Sequence, residues 1–146
     1  MARLVKWSGL MAAALLLLAA FSHGGTAVRA QNFSGVTLTV NITSDDVTGL
    51  DPTVQVALIG SWTIAFDDNG GYAVGKDNTV TAAGLWQLNG NELTLTDVSG
   101  PLACSGDQAT GTYAISYDGS TYAFTSIDDT CQGRMFLLTA HRFSAQ

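Results

Sequence analysis

Side chains able to do chemistry are few in this chain and far apart. Its histidines are His23 and His141. The first lies in an N-terminal stretch read below as a removable leader, so a Ser-His-Asp or Cys-His arrangement would have to be built on His141 beside Arg142. A partly exposed strand histidine is the simpler expectation, and one imidazole cannot build a histidine metal cluster. The acidic pairs Asp67-Asp68 and Asp128-Asp129 have the residue types of a glycosidase dyad or of oxygen ligands for calcium. Asp67-Asp68-Asn69-Gly70 lacks the ligand spacing and closing glutamate of a calcium loop, and both pairs read as turns whose carboxylates bind their own backbone. Phosphate-loop and dinucleotide fingerprints are absent. The composition thus points away from an enzyme, a metal site or a bound cofactor.

Cys104 and Cys131 are the only cysteines. In an exported chain an even pair without C-x-x-C spacing or histidine partners reads as a structural disulfide. Closing a loop of this size should contribute roughly 2–4 kcal/mol.

Aromatic residues form the better functional lead. Trp86, Tyr113, Tyr117, Tyr122 and Phe124 share the inward phase of their segments, as does Trp62. On the inside of a small barrel such residues either line a cavity for one small apolar ligand or fill the core. They are the candidate ligand-binding residues.

What must position them is a set of short strands. After Gln31, alternating apolar and polar segments recur between turn residues, the signature of an antiparallel sheet and not of helices. Strands are expected near 36–42, 53–66, 71–76, 79–88, 92–97, 111–117, 121–127 and 134–143. Between them lie Asp68-Asn69-Gly70-Gly71, Lys76-Asp77-Asn78, Asn89-Gly90-Asn91 and Asp118-Gly119, which accept positive φ at little cost. Residues 31–52 read as an edge strand or a leader, followed by the main unit at 53–146. Gly84-Leu85-Trp86-Gln87-Leu88, continuing to Leu93-Thr94-Leu95-Thr96, is echoed by Gly111-Thr112-Tyr113-Ala114-Ile115, continuing to Tyr122-Ala123-Phe124-Thr125. Each unit is a hairpin followed by a loop with one cysteine, which puts Cys104 and Cys131 at one end of the sheet. A one-sided sheet with hairpin connections hides its apolar face by closing on itself. The expected fold is all-β, a small antiparallel up-and-down barrel of about eight strands held by one disulfide.

Arg3 and Lys6 precede an apolar run from Leu10 to Phe21 and a polar stretch ending at Val28-Arg29-Ala30. That pattern is a signal peptide over residues 1–30, with an apolar core too short to span a bilayer. Residues 31–146 then carry three basic and twelve acidic side chains, a net charge of −9. So acidic a surface opposes nucleic acid and anionic membrane as partners and reads as solubility, while the short-cored signal peptide implies a secreted or periplasmic protein without membrane insertion. Asn32-Phe33-Ser34 and Asn41-Ile42-Thr43 fit the glycosylation acceptor pattern, which matters only in a eukaryotic host.

Leu58-Ile59-Gly60-Ser61-Trp62 resembles the Gly-x-Trp opening of lipocalin-like (calycin) barrels, and the run 56–142 is similar to small exported bacterial domains of that kind. Gly100-Pro101-Leu102-Ala103-Cys104 before a Gly-x-Tyr strand, an Asp-Gly turn, and Asp129-Thr130-Cys131-Gln132-Gly133-Arg134 carry the rest of the likeness. The resemblance implies structural roles for Gly60, Trp62 and Arg134. In it the tryptophan closes one end of the barrel and packs beneath an arginine from a late strand, Arg134 or else Arg142, in a cation–π contact. It also implies a non-catalytic binding module for a small apolar or amphipathic molecule. The alternative is an extracellular interaction or inhibitor module with a filled core and an acidic surface. Two departures are a chain shorter than ligand carriers of that kind and the absence of a C-terminal helix pattern.

Overall fold

The computed structural model describes residues 33–146. The leader assigned to residues 1–30 and Asn32, the acceptor of the first glycosylation triplet, lie outside the described residues. The strands are β1 (Thr37–Ile42), β2 (Gly60–Phe66), β3 (Gly71–Lys76), β4 (Thr79–Asn89), β5 (Glu92–Ser99), β6 (Thr110–Tyr117), β7 (Thr121–Asp128) and β8 (Phe143–Ala145). They close in sequence order into one barrel, β1 to β8, with every neighbouring pair antiparallel. This is the all-β, up-and-down architecture expected, and it is consistent with a calycin-like fold.

Period-two burial explains why these segments are strands. Trp62, Ile64 and Phe66 on β2, Leu93 and Leu95 on β5, and Tyr113 and Ile115 on β6 turn inward, while their neighbours face solvent. The hairpin turns behave as their residues dictate. Asp77 and Asn78 both adopt positive φ, 48° and 67°, between β3 and β4. Closure leaves each strand paired on both sides, with no long edge to aggregate.

Two stretches expected as strand are helical. Residues 53–58 belong to α1 (Pro52–Leu58), because Asp51 accepts a hydrogen bond from the Thr53 N–H at 2.8 Å and Pro52 sits where no amide donor is required. Val54 and Val56 are exposed on it, and Leu58 is buried under the barrel. Residues 132–139 form α2 (Gln132–Thr139), which buries Arg134, Leu137 and Leu138, an i, i+3, i+4 stripe. Two turns of helix are too short for a period to distinguish them from a strand, and the chain returns to strand only at β8. The expectation of a late strand over 134–143 is therefore corrected; α2 lies before the last strand, and among the described residues no helix follows β8.

The barrel has two dissimilar ends. One carries the turns after β2, β4 and β6 together with Phe33, and is called here the turn end. At the other, the disulfide end, lie α1, α2 and the loops holding Cys104 and Cys131, whose sulfurs are bonded at 2.04 Å across 27 residues of sequence.

Candidate functional site

A buried polar knot closes the disulfide end. Arg134, brought inward by α2, has a side chain only 7% exposed, with Asp97 at 3% and Asp129 at 0%. Its Nε and Nη2 donate to the two oxygens of Asp129 at 2.8 and 2.9 Å, a bidentate pair. Nη1 lies 3.1 Å from Asp97 Oδ2 and donates to the Ala109 carbonyl at 2.8 Å, and Nη2 also donates to the Gln108 carbonyl at 3.0 Å. All the guanidinium donors are thereby used.

The carboxylates are held in turn. The Cys104 N–H donates to Asp97 Oδ2 and the Cys131 N–H to Asp129 Oδ1, each at 2.7 Å. Tyr72 donates its hydroxyl to Asp97, and Tyr113 donates to Asp129. Burial alone would raise the Asp129 pKa, but the hydrogen bonds from Arg134, Tyr113 and Cys131 and the arginine charge bring it below the ordinary value of 3.8. Both tyrosine hydroxyls are pushed well above 10, first by burial and then by the carboxylate each one faces.

Space for this knot comes from the paired glycines of the internal repeat. A Cβ at Gly84 would lie 2.0 Å from the Thr96 carbonyl oxygen and 2.8 Å from the Tyr72 ring; one at Gly111 would lie 2.3 Å from the Asp129 carboxylate. Gly84→Ala is expected to cost about 1–3 kcal/mol, since the obstruction is backbone that cannot rotate away. Chemical denaturation checks this, and an unchanged midpoint would show that β4 and β5 part easily.

Trp62 closes the same end, 4% exposed, with its indole N–H donating to the Leu58 carbonyl at 2.7 Å. The cation above its ring is Lys76, whose Nζ is 5.6 Å from the ring centroid and donates to the Ala57 carbonyl at 2.6 Å at the end of α1. Arg134 is not that partner, because α2 carries it to the carboxylates instead. Arg142 is half-exposed and pairs with Asp118 at 2.7 Å. Gly60 opens β2 opposite Ile42.

The candidate ligand residues divide between the two ends. Tyr113 is fully buried in the polar knot, and Phe124 packs edge-on against Phe143 at 5.5 Å. Trp86, Tyr117 and Tyr122 gather at the turn end, with the Tyr117 and Tyr122 rings 4.5 Å apart. Trp86 and Tyr117 are half-buried, as is Leu88 on the same strand as Trp86. Phe33 and Phe66 complete this aromatic group, at 5.0 Å from one another. Phe33 had no assigned role in the sequence reading. The Trp86 indole nitrogen is buried and has no hydrogen-bond partner among the described residues, an omission that costs roughly 1–3 kcal/mol.

The remaining reactive side chains are dispersed. His141 Nε2 is 3.9 Å from Asp46, whose other oxygen accepts from the Thr43 N–H at 2.7 Å and from its hydroxyl. Asp67 caps its own turn by accepting from the Asn69 and Gly71 N–H groups at 2.7 and 2.8 Å, and Asp68 accepts from Ser34. Asp128 is exposed where Asp129 is buried, so that pair faces two environments. Asp97 lies close to both cysteine sulfurs, but these are joined to each other and offer no thiolate to a metal. Comparison of the chain with protein-family models, with curated proteins and with solved structures gives no match.

Proposed function

We propose that the chain is a non-catalytic binding module, exported to an oxidising compartment, that holds a small apolar or amphipathic molecule at the turn end of its barrel. The observation that carries this reading is the contrast between the ends. The disulfide end is sealed by α1, α2 and a fully bonded ion cluster. The turn end presents half-buried Trp86, Leu88 and Tyr117 and an indole donor without a partner among the described residues, the mixture of apolar wall and sparse polar groups typical of small-molecule sites. The disulfide supports export, as does the apolar run of residues 10–21, and no helix among the described residues is long and apolar enough to cross a membrane. The contact that His141 makes, 3.9 Å from the Asp46 carboxylate, suits a surface ion pair and so the non-catalytic reading.

Titration with the neutral naphthalene dye Prodan is expected to shift the dye's emission to the blue with saturation near one equivalent. Trp86→Phe should weaken that binding, whereas exchange of the exposed Val56 for serine should not. Absence of saturable binding by Prodan and by long-chain fatty acids would remove the proposal.

One observation favours a protein partner instead. Val80, Leu85, Val98 and Leu102 are more than half exposed on β4, β5 and the loop that follows. In that reading the barrel is a solid support for an outer apolar strip on a chain of net negative charge. A basic partner would then bind the native chain in a salt-sensitive manner and fail to bind Val98→Ser/Leu102→Ser.

A further inference from the structure

Given the binding role proposed above, on which this inference rests, we propose that the slot filled by the Phe33 ring is the site for a planar aromatic group bearing a hydrogen-bond acceptor, and that Phe33 competes with that ligand as an internal plug. Phe33 precedes β1 and belongs to no strand. A turn directs it into the barrel mouth: the Val36 N–H donates to the Phe33 carbonyl at 3.0 Å, Gly35 takes φ +74°, and the Gly35 N–H donates to the Phe66 carbonyl at 2.8 Å. Only glycine adopts that left-handed conformation freely. The result is one phenyl ring 2% exposed, set 5.0 Å from Phe66 at 74°, 5.3 Å from Tyr122 at 57° and 6.5 Å from Trp86 at 59°. Edge and tilted contacts of this kind are what a flat aromatic group requires from its walls.

Phe33 fits the slot in shape but not in polarity. A phenyl ring has no acceptor, and the buried Trp86 Nε1–H, on a ring whose centroid lies 6.5 Å from that of Phe33, has no partner among the described residues. A ligand combining a ring with a carbonyl or ether oxygen satisfies both the walls and the donor. A purely apolar ring gains nothing that Phe33 does not already supply. The plug thus sets specificity: it weakens the binding of simple hydrocarbons by competition and yields more readily to molecules that also accept a hydrogen bond. It is a rotation about Gly35, not an opening of the barrel, that vacates the slot.

The test uses the full chain and two isosteric probes, 2-acetylnaphthalene and 2-ethylnaphthalene, with affinity read by calorimetry. The native chain should prefer the ketone. Phe33→Ala should bind both probes about tenfold tighter, because the fraction of molecules with an open slot rises. Trp86→Phe should erase the preference for the ketone while retaining binding of the hydrocarbon. Phe33→Leu, which keeps apolar bulk in the mouth, should give a smaller gain and serves if Phe33→Ala does not fold. Binding by the native chain that neither Phe33 variant tightens would overturn the plug and leave the binding role standing. A ketone preference that survives in Trp86→Phe would overturn the assigned donor. Failure of the native chain and both Phe33 variants to bind either probe would remove the plug, and the binding role falls with it if Prodan and long-chain fatty acids also fail to bind.

Discussion

Replacing Arg134 by methionine is expected to destabilise the protein by about 3–5 kcal/mol at neutral pH and to reverse the direction of its pH dependence. Methionine has comparable length and packs well, so the loss comes from the charges left behind. Asp97 and Asp129 would remain inside the barrel with no cation between them. In the native chain the Asp129 pKa is lowered on folding. Its stabilising contribution is therefore complete above the ordinary value of 3.8 and is lost only as the pH falls through the lower folded value. Without the arginine, burial and the neighbouring carboxylate are opposed only by the hydrogen bonds from Tyr113 and Cys131, and the folded pKa is expected to rise above the unfolded one. The sign then inverts: the variant should be least stable at neutral pH and should gain stability on acidification toward pH 4. Urea denaturation at several pH values measures both effects. Adding Asp129→Asn to the variant should restore part of the loss, and a variant whose stability still falls with acid would show that these carboxylates do not depend on Arg134. The surface pair Arg142–Asp118 has a shorter contact, at 2.7 Å, but its side chains are about half exposed. Solvent screens it, so Arg142→Ala should have a much smaller effect.

Removing the disulfide, as Cys104→Ser with Cys131→Ser, is expected to cost about 3–4 kcal/mol. Its loop spans 27 residues, and opening it restores that much conformational freedom to the unfolded chain. The midpoint of thermal unfolding should fall by on the order of 10–20 °C. The bridge also does something local: its two residues supply the backbone N–H groups that hold Asp97 and Asp129. The two perturbations should therefore not add. A chain lacking both the bridge and Arg134 should lose measurably less stability than the two separate losses predict, because each variant already loosens the same carboxylates. Strict additivity would mean that the bridge acts on the unfolded chain alone.

The internal repeat shows how far local pattern reaches. Gly84 and Gly111 occupy equivalent places in the two hairpin units, and both form the floor beneath the polar knot. The equivalence was visible in the sequence, whereas the reason for glycine was not, since it depends on Tyr72, Asp129 and Arg134 arriving from other elements. Asp97 offered one signal that went unused. It continues the inward phase of Leu93 and Leu95, and a carboxylate on the apolar phase of a strand needs a buried partner. Phe33 offered none, because a lone aromatic before the first strand has no period to belong to.

What the sequence determined by itself is the architecture: strands that bury every second residue, turns built from Asp, Asn and Gly, and a cysteine after each repeated hairpin. These signals are local or rest on compartment chemistry, so they survive without knowledge of the fold. Tertiary structure decided that residues 132–139 coil into a helix, because only burial of Arg134, Leu137 and Leu138 selects that face in so short a segment, whereas α1 had a local signal in Asp51-Pro52. It alone decided that Arg134 meets two carboxylates while Lys76 takes the place over Trp62, and that Phe33 fills the mouth beside Trp86. Those contacts join residues far apart in the chain, and their partners are chosen by strand register and barrel curvature, quantities that no short window of sequence contains.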